Sequence, residues 1–166
     1  MTNERDELVA TLDKHRGFLR HTVDGLTDEQ AAQRTTVSEL CLGGLIKHVA
    51  AVEEQWVGFI NEGPSAFAPM DAGAYEAHAA TFRMQPGETL ASIVEQYDDV
   101  AAHTDDLVKT LPTLDVEHPL PEAPWFEQGA RWSARRAFLH ILAETAQHAG
   151  HADILREAVD GQNTMG

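Results

Sequence analysis

The sequence predicts an all-α protein in which four long helices form a bundle, and three observations support this prediction. Apolar residues recur at helical spacing along four long segments, whereas the alternation typical of strands is almost absent. Glycine and proline residues mark the ends of most of these segments. The chain has 166 residues, of which 43% are hydrophobic, and this length suits one core. We therefore expect a single domain over residues 1–166.

The first two long helices are predicted over residues 3–25 and 38–61. A capping box that starts at Thr27 opens a short turn of helix between them. A Gly-Pro pair at 63–64 ends the second long helix. The apolar stripe of that helix consists of Leu42, Leu45, Ile46, Val49, Val52, Trp56 and Phe59. His48 lies beside this stripe, so its side chain is expected to point toward the interior of the bundle.

Two long connections separate the last three long helices. Residues 64–87 are rich in glycine, proline and alanine, which predicts a long excursion with one short helix over 71–82. A third long helix with an acidic outer face is predicted over 88–111. Four prolines within 112–131 forbid a regular helix there and indicate a long crossover loop. The fourth long helix is predicted over 133–160 and is followed by a glycine. Its expected core side includes Phe138, Ile141, Leu142, Ile154, Leu155 and Val159.

The charge balance argues against two classes of partner. The 27 acidic and 12 basic residues give a formal net charge of -15 at pH 7, which repels phosphate backbones and anionic lipids. No apolar run approaches the ~20 residues of a membrane-spanning helix. We therefore expect neither nucleic-acid nor membrane binding. The single cysteine, Cys41, allows no intramolecular disulfide, and with the polar start of the chain it favours the cytoplasm.

The residues that could carry chemistry concentrate on the fourth long helix. His140, Glu144 and His148 lie four positions apart and therefore form one row on one helix face. His140 and His148 are separated by about 12 Å of helix rise, too far for both to bind one metal ion. A mononuclear site must use either Glu144 with His148 or His148 with His151. A third ligand has to come from a facing helix, as in other bundle cores.

His48 is the best remaining candidate for that third ligand, because it lies in the middle of a helix beside an apolar stripe. A single histidine there is more often a hydrogen-bonded residue at the edge of the core, but the pair on the fourth helix favours a ligand. Cys41 lies about 10 Å before His48 along the helix and is interpreted as a small buried apolar residue. The weaker candidates are His15, His21, His78, His103 and His118.

Several long motifs resemble one known family. The first is the run over 42–56, which begins Leu-Gly-Gly-Leu-Ile-Lys-His. The second is the run over 136–161, which contains His140, Glu144, His148 and His151. The segments 12–19 and 25–30 add to the likeness, which covers nearly the whole chain. On these motifs the sequence resembles the DinB-like superfamily, in particular the actinobacterial "mini-circle protein" branch.

The resemblance implies a four-helix bundle of up-down-down-up order with a metal ion held by three side chains. These positions match His48 on the second long helix and Glu144 and His148 on the fourth. Many relatives use three histidines. This sequence has Glu144 where they have the second histidine, as in the mycothiol-dependent maleylpyruvate isomerase group. Two imidazoles and one carboxylate suit zinc, which is favoured, and nickel or iron would also accept them.

The resemblance also implies chemistry with a low-molecular-weight thiol. Related proteins are metal-dependent S-transferases and isomerases that use bacillithiol, mycothiol or glutathione, and the actinobacterial likeness favours mycothiol. The expected reaction is attack of a metal-activated thiol on a small electrophile. His151 and His140 are candidates for moving protons, either as hydrogen-bond partners of the ligands or as pocket residues, and packing in the core is an equal alternative for His140. Arg131 is a candidate for holding an anionic group of the substrate. Trp125, Phe126 and Trp132 are candidates for the pocket wall, although a hydrophobic plug is the commoner role for such residues.

Two alternatives remain at this stage. The same open metal position could activate water, which would make the protein a hydrolase. The bundle could also be a metal-binding or dimerisation module without catalytic activity. Homodimers are common among the relatives, and a homodimer is accordingly one expectation here.

Overall fold

The structure is a computed structural model that describes residues 3–69 and 71–164. Most of these residues are helical, which confirms the all-α class. The described residues form the helices α1 (Glu4–His21), α2 (Asp28–Ala32), α3 (Leu42–Glu62), α4 (Ala72–Thr81), α5 (Leu90–Thr110) and α6 (Ala134–Asp160), a 3-10 turn (Gly63–Ala66), and the strands β1 (Glu117–Pro119) and β2 (Arg131–Ser133). The four long helices are therefore α1, α3, α5 and α6.

Side-chain caps start most of these helices where the sequence predicts a start. The capping box of Thr27 and Gln30 begins α2, and Ser133 accepts a hydrogen bond from the Arg136 amide at the start of α6. Asp71 caps the short helix α4 in the same way. Such caps satisfy amides that have no partner within the helix. The boundaries of α4, α5 and α6 consequently differ from the predicted ones by no more than two residues.

The predicted end of the first long helix and the predicted start of the second are each wrong by four residues. The α1 helix stops at His21 and the chain continues as a tighter turn, in which the carbonyls of Thr22 and Asp24 accept hydrogen bonds from Arg156. The α3 helix starts at Leu42 rather than 38. Before it, the hydroxyls of Thr36 and Ser38 accept hydrogen bonds from amides two residues later, and such local bonds compete with helix formation.

The connection over 112–131, predicted as a long crossover loop, contains a short strand. Its residues Glu117–Pro119 form an antiparallel pair with Arg131–Ser133, in which Glu117 lies opposite Ser133 and Pro119 opposite Arg131. The ribbon has only two strands, so each of them has a free edge. Pro119 can therefore stand in β1 without removing a hydrogen bond from the middle of a sheet.

Each of the long helices packs against two of the others, since α3 and α1 both contact α5 and α6. The buried apolar residues form two clusters, one that includes Leu45 and Tyr97 and one that includes Trp56 and Phe138. Ile154 was predicted to face the core, but 61% of it is exposed. The buried positions of α6 around it include Ala152 and Leu155, which leaves Ile154 on the opposite face of the helix.

Polar contacts connect the ends of the long helices. Glu4 at the start of α1 pairs with Arg135 at the start of α6. The Arg5 guanidinium donates to the carbonyl of Leu111, directly after α5, at 2.7 Å. Lys47 near the start of α3 contacts Glu88, just before α5, at 2.6 Å. These contacts fix which helix ends lie together.

A buried ion pair connects α1 to α3. Arg16 on α1 is 3% exposed and Glu53 on α3 is fully buried, and the guanidinium donates to both carboxylate oxygens. Arg16 also donates to Asp105 of α5 at 2.8 Å. A buried charge is tolerated when it is paired and hydrogen-bonded in this way. Within the described ranges, no helix is both long and apolar enough to cross a membrane.

This arrangement predicts unequal effects of removing two arginines one turn apart on α1. Arg16→Met leaves the Glu53 carboxylate buried without its partner, so we expect the free energy of unfolding to fall by about 3–5 kcal/mol. Arg20→Met removes only the exposed pair with Asp98, which should cost less than about 1 kcal/mol. Urea unfolding followed by circular dichroism measures both values. Equal losses for the two variants would contradict the role assigned to the buried pair.

Candidate metal centre

The structure brings together His48 of α3 with Glu144 and His148 of α6. One ligand atom of each side chain lies within 4.8 Å of those of the other two. This is the trio that the sequence and the resemblance predicted as metal ligands. Glu144 and His148 are one helical turn apart on α6, so both face α3. The His48 and His148 rings meet edge to face, with their centroids 4.9 Å apart.

His48 is held on the inner side of the site. It is 4% exposed, and the Phe82 ring stacks on its imidazole with 3.9 Å between the centroids. Its Nδ1 is 2.9 Å from the hydroxyl of Thr81. Burial, and then the proximity of His148 and His78, lowers the pKa of His48 to about 4. The imidazole is therefore neutral at pH 7, which is the form that binds a metal ion.

His148 and Glu144 form the outer side of the site. The Nε2 atom of His148 is 3.5 Å from Oε2 of Glu144. On the other side of the ring, Nδ1 of His148 is 3.3 Å from Nδ1 of His151. The interaction with His148 lowers the pKa of Glu144 below its ordinary value, so the carboxylate is ionised at neutral pH. With Nδ1 facing His151, His148 directs its Nε2 at the carboxylate, which is the side on which an ion would bind.

The two histidines predicted to move protons lie on either side of this trio. His151 contacts His148 directly, as described above. His140 lies one turn before Glu144, with 3.7 Å between its Nε2 and Oε1 of that carboxylate. Its ring packs against Trp56 and Trp132 at centroid distances of 4.8 and 5.3 Å. Burial lowers the pKa of His140. Their roles in proton transfer stay predictions.

Arg131 has its contacts on the β ribbon. Its guanidinium lies 3.6 Å from the Glu117 carboxylate and donates to the carbonyl of the same residue at 3.1 Å. Neither of these contacts involves His48, Glu144 or His148. The proposed role of Arg131 in holding an anionic substrate group thus stays a prediction, and in this structure its charge is paired with Glu117.

The aromatic residues of the segment before α6 pack beside the trio, on the side where His140 lies. Trp132 stacks on Trp56 with 4.8 Å between the ring centroids, and Phe126 contacts both of them. Trp125 is 59% exposed and contacts Phe126. Trp132 and Phe126 belong to the hydrophobic cluster around Trp56. This packing corresponds to a hydrophobic plug, which is the alternative to a pocket wall for these residues.

The turn at the end of α4 is the part of the site that sequence reasoning missed. Thr81 and Phe82 contact His48, and the His78 ring lies 5.3 Å from the His48 ring. His78 was rated a weak ligand candidate, and it is outside the trio. Cys41 is outside the trio as well. It is buried, and its sulfur lies 3.7 Å from the Phe82 carbonyl oxygen. His15, His21, His103 and His118 are not part of the trio either.

The donor set fits a divalent ion. Two imidazoles and one carboxylate supply three ligand atoms of the types that zinc binds. Ligand atoms that share a zinc ion with bonds of ~2.1 Å lie about 3.4 Å apart, and those of the trio lie within 4.8 Å of one another, so the side chains would have to approach one another only slightly to hold an ion. Three protein ligands leave one coordination position open, as in catalytic rather than structural sites.

Comparisons with known proteins identify the family. The sequence profile of the mycothiol-S-transferase family matches residues 7–161, and no protein with a curated function matches. The fold is similar to that in the crystal structure of a conserved protein from Enterococcus faecalis, with a TM-score of 0.68 and 13% sequence identity. That likeness covers 98% of this chain and 100% of the other, and at this identity it concerns the fold alone. Because the family profile spans nearly the whole sequence, the protein belongs to the mycothiol-S-transferase family, a DinB-like family as the resemblance predicted.

Proposed function

We propose that this protein is a divalent-metal-dependent thiol S-transferase, or a thiol-dependent isomerase, that uses mycothiol or a similar low-molecular-weight thiol. The observation that carries the proposal is the meeting of His48, Glu144 and His148 in a chain of the mycothiol-S-transferase family. The family supplies the class of co-substrate, and the trio supplies a means of activating it. We also propose that the protein acts in the cytoplasm on small molecules. We further propose that the chain forms a single domain and that two copies can form a homodimer.

The proposed ligands are Nε2 of His48, Nε2 of His148 and a carboxylate oxygen of Glu144. Zinc is the favoured ion, and nickel or iron also accept this set of donors. A bound divalent ion would accept the thiol sulfur at its open position and lower a thiol pKa that starts near ~8.5. The negative charge of Glu144 offsets part of the charge of the ion and so limits the binding of further anions.

The proposed reaction forms a bond between the thiol sulfur and an electrophilic carbon. In a transfer, the bond to the leaving group breaks and that group keeps the bonding electrons, while the thiol proton passes to a base. His151 and His140 are the proposed bases, because each lies next to a ligand of the trio and is half-buried. Arg131 is proposed to hold an anionic part of the substrate once it is released from Glu117.

For the fold, we propose the up-down-down-up order of the four long helices. The contact of Glu4 with Arg135 supports equal directions for α1 and α6, since both residues stand at helix starts. The bond from Arg5 to the carbonyl of Leu111 supports opposite directions for α1 and α5. The contact of Lys47 with Glu88 supports equal directions for α3 and α5.

The metal site is tested by removing its ligands one at a time. We expect near-stoichiometric zinc, nickel or iron in protein purified without chelators. His48→Ala and His148→Ala should each weaken metal binding by on the order of a hundredfold or more, because each loses one ligand bond. His103→Ala changes an exposed histidine on α5 and should keep the metal. Elemental analysis and competition with a chromophoric chelator measure both effects, and parental metal content in His48→Ala would contradict the site.

The reaction class is tested by making turnover depend on the thiol. We expect the metal-loaded protein to consume a chromogenic aryl halide only when mycothiol, bacillithiol or glutathione is added, with mycothiol the best. Glu144→Gln, which keeps the shape but removes the charge, should lower the rate by at least about tenfold. Turnover without any thiol would identify a hydrolase instead. Tight metal binding with no turnover of an electrophile panel would identify a metal-binding module.

A further inference from the structure

The short helix α4 contributes to the site although none of its residues is fully buried. Its last residue, Thr81, and the next one, Phe82, both touch His48. Its His78 ring also lies near His48, and its His78 carbonyl lies 2.6 Å from the Thr81 hydroxyl oxygen. The side chain of His48 is thus enclosed by a segment that is separate from the helices carrying the three proposed ligands.

The hydrogen bonds around Thr81 favour one nitrogen of His48 for its proton. The His78 carbonyl can only accept, so the Thr81 hydroxyl donates its single hydrogen to it. The hydroxyl oxygen then has only lone pairs left for Nδ1 of His48, 2.9 Å away. With the Thr81 hydrogen on the His78 carbonyl, Nδ1 is the donor in this contact. A neutral imidazole has one N–H, so Nε2 carries the free lone pair.

We infer that Thr81 is a positioning residue of the metal centre, whose hydroxyl holds His48 in the Nδ1-protonated tautomer and so presents the Nε2 lone pair to the ion. This inference rests on the proposed function. The opposite tautomer would place a hydrogen on Nε2, where it blocks the ion. Partners of this kind orient metal-binding histidines, and their loss commonly costs 10–100-fold in affinity.

The close packing of α3 against the end of α4 fixes Thr81 in place. Gly44 lies one helical turn before His48, and a Cβ atom there would be 2.0 Å from the Phe82 carbonyl oxygen and 2.3 Å from its carbon. Only glycine therefore lets this backbone approach α3 so closely. The same approach seats the Phe82 ring on the His48 imidazole. The position of the Thr81 hydroxyl thus depends on a residue of the helix that carries His48.

The tautomer is measured directly by long-range ¹⁵N–¹H correlation spectra of the metal-free protein at neutral pH. We expect His48 of the parent to carry its proton on Nδ1. Thr81→Val, which has nearly the same shape, should shift the population toward the Nε2-protonated form and raise the zinc dissociation constant by about 10–100-fold. Thr81→Ser keeps the hydroxyl and should restore both values. Thr110→Val removes a hydroxyl that donates to a helix carbonyl on α5 and should change neither.

The outcomes separate this inference from the proposed function. An Nε2-protonated His48 in the parent would overturn the inference, and so would unchanged zinc affinity in Thr81→Val. A parent that shows the Nδ1-protonated form but binds no metal would overturn the metal role of Thr81 together with the proposed site. A parent that binds zinc but has no transferase activity would overturn the proposed reaction alone, because the tautomer and the zinc affinity are measured without turnover.

A pair of glycine variants tests the seating of α4. Gly44→Ala should force the backbone at Phe82 away from α3 and thereby weaken zinc binding in the same direction as Thr81→Val. Gly17→Ala is the matched control, because a Cβ atom at this position of α1 meets nothing within 4 Å. It should leave zinc affinity unchanged and raise the unfolding midpoint, since alanine favours the helix. Equal zinc affinity in the two variants would overturn the role of Gly44.

Discussion

The pairing of α3 with α6 is the constraint on which the candidate metal centre depends. His48 meets His148 at 4.9 Å between ring centroids, and Trp56 meets His140 at 4.8 Å. Eight residues forward along α3 thus correspond to eight residues backward along α6. A shift of one residue between the helices would move a ligand by about 1.5 Å along the axis and by about 100° around it. The register of these two helices must therefore be fixed before any ion can bind.

Burial divides the polar residues of the site into two groups. His48 lies deepest, and the loss of water that lowers its pKa also keeps it neutral and suited to be a ligand. The side chains of Glu144 and His140 are 28% and 30% exposed, so water reaches this edge of the trio. A group that exchanges protons needs such access, whereas a ligand needs a fixed orientation. The depths of His48 and His140 therefore agree with the parts proposed for them, whereas Glu144 is a proposed ligand at the edge that water reaches.

The sequence predicted what local interactions decide. The row of His140, Glu144 and His148 follows from helical periodicity alone, and the α6 boundaries follow from a serine cap and a final glycine. The α3 start was missed because Thr36 and Ser38 bond locally ahead of it. The contribution of α4 was also missed, since it depends on two segments far apart in sequence. The spacing of apolar residues does not reveal that Gly44 on one helix lets the backbone of Phe82 approach it.

The second nitrogen of each histidine ligand ties the site to a different part of the chain. His48 is bonded to Thr81 at the end of α4, and His148 to His151 within α6. If Thr81 strengthens the binding of the ion, then by thermodynamic linkage the ion strengthens the contact of α4 with α3 by the same free energy. The segment that covers His48 would then be more firmly held in the metal-bound protein than in the metal-free one.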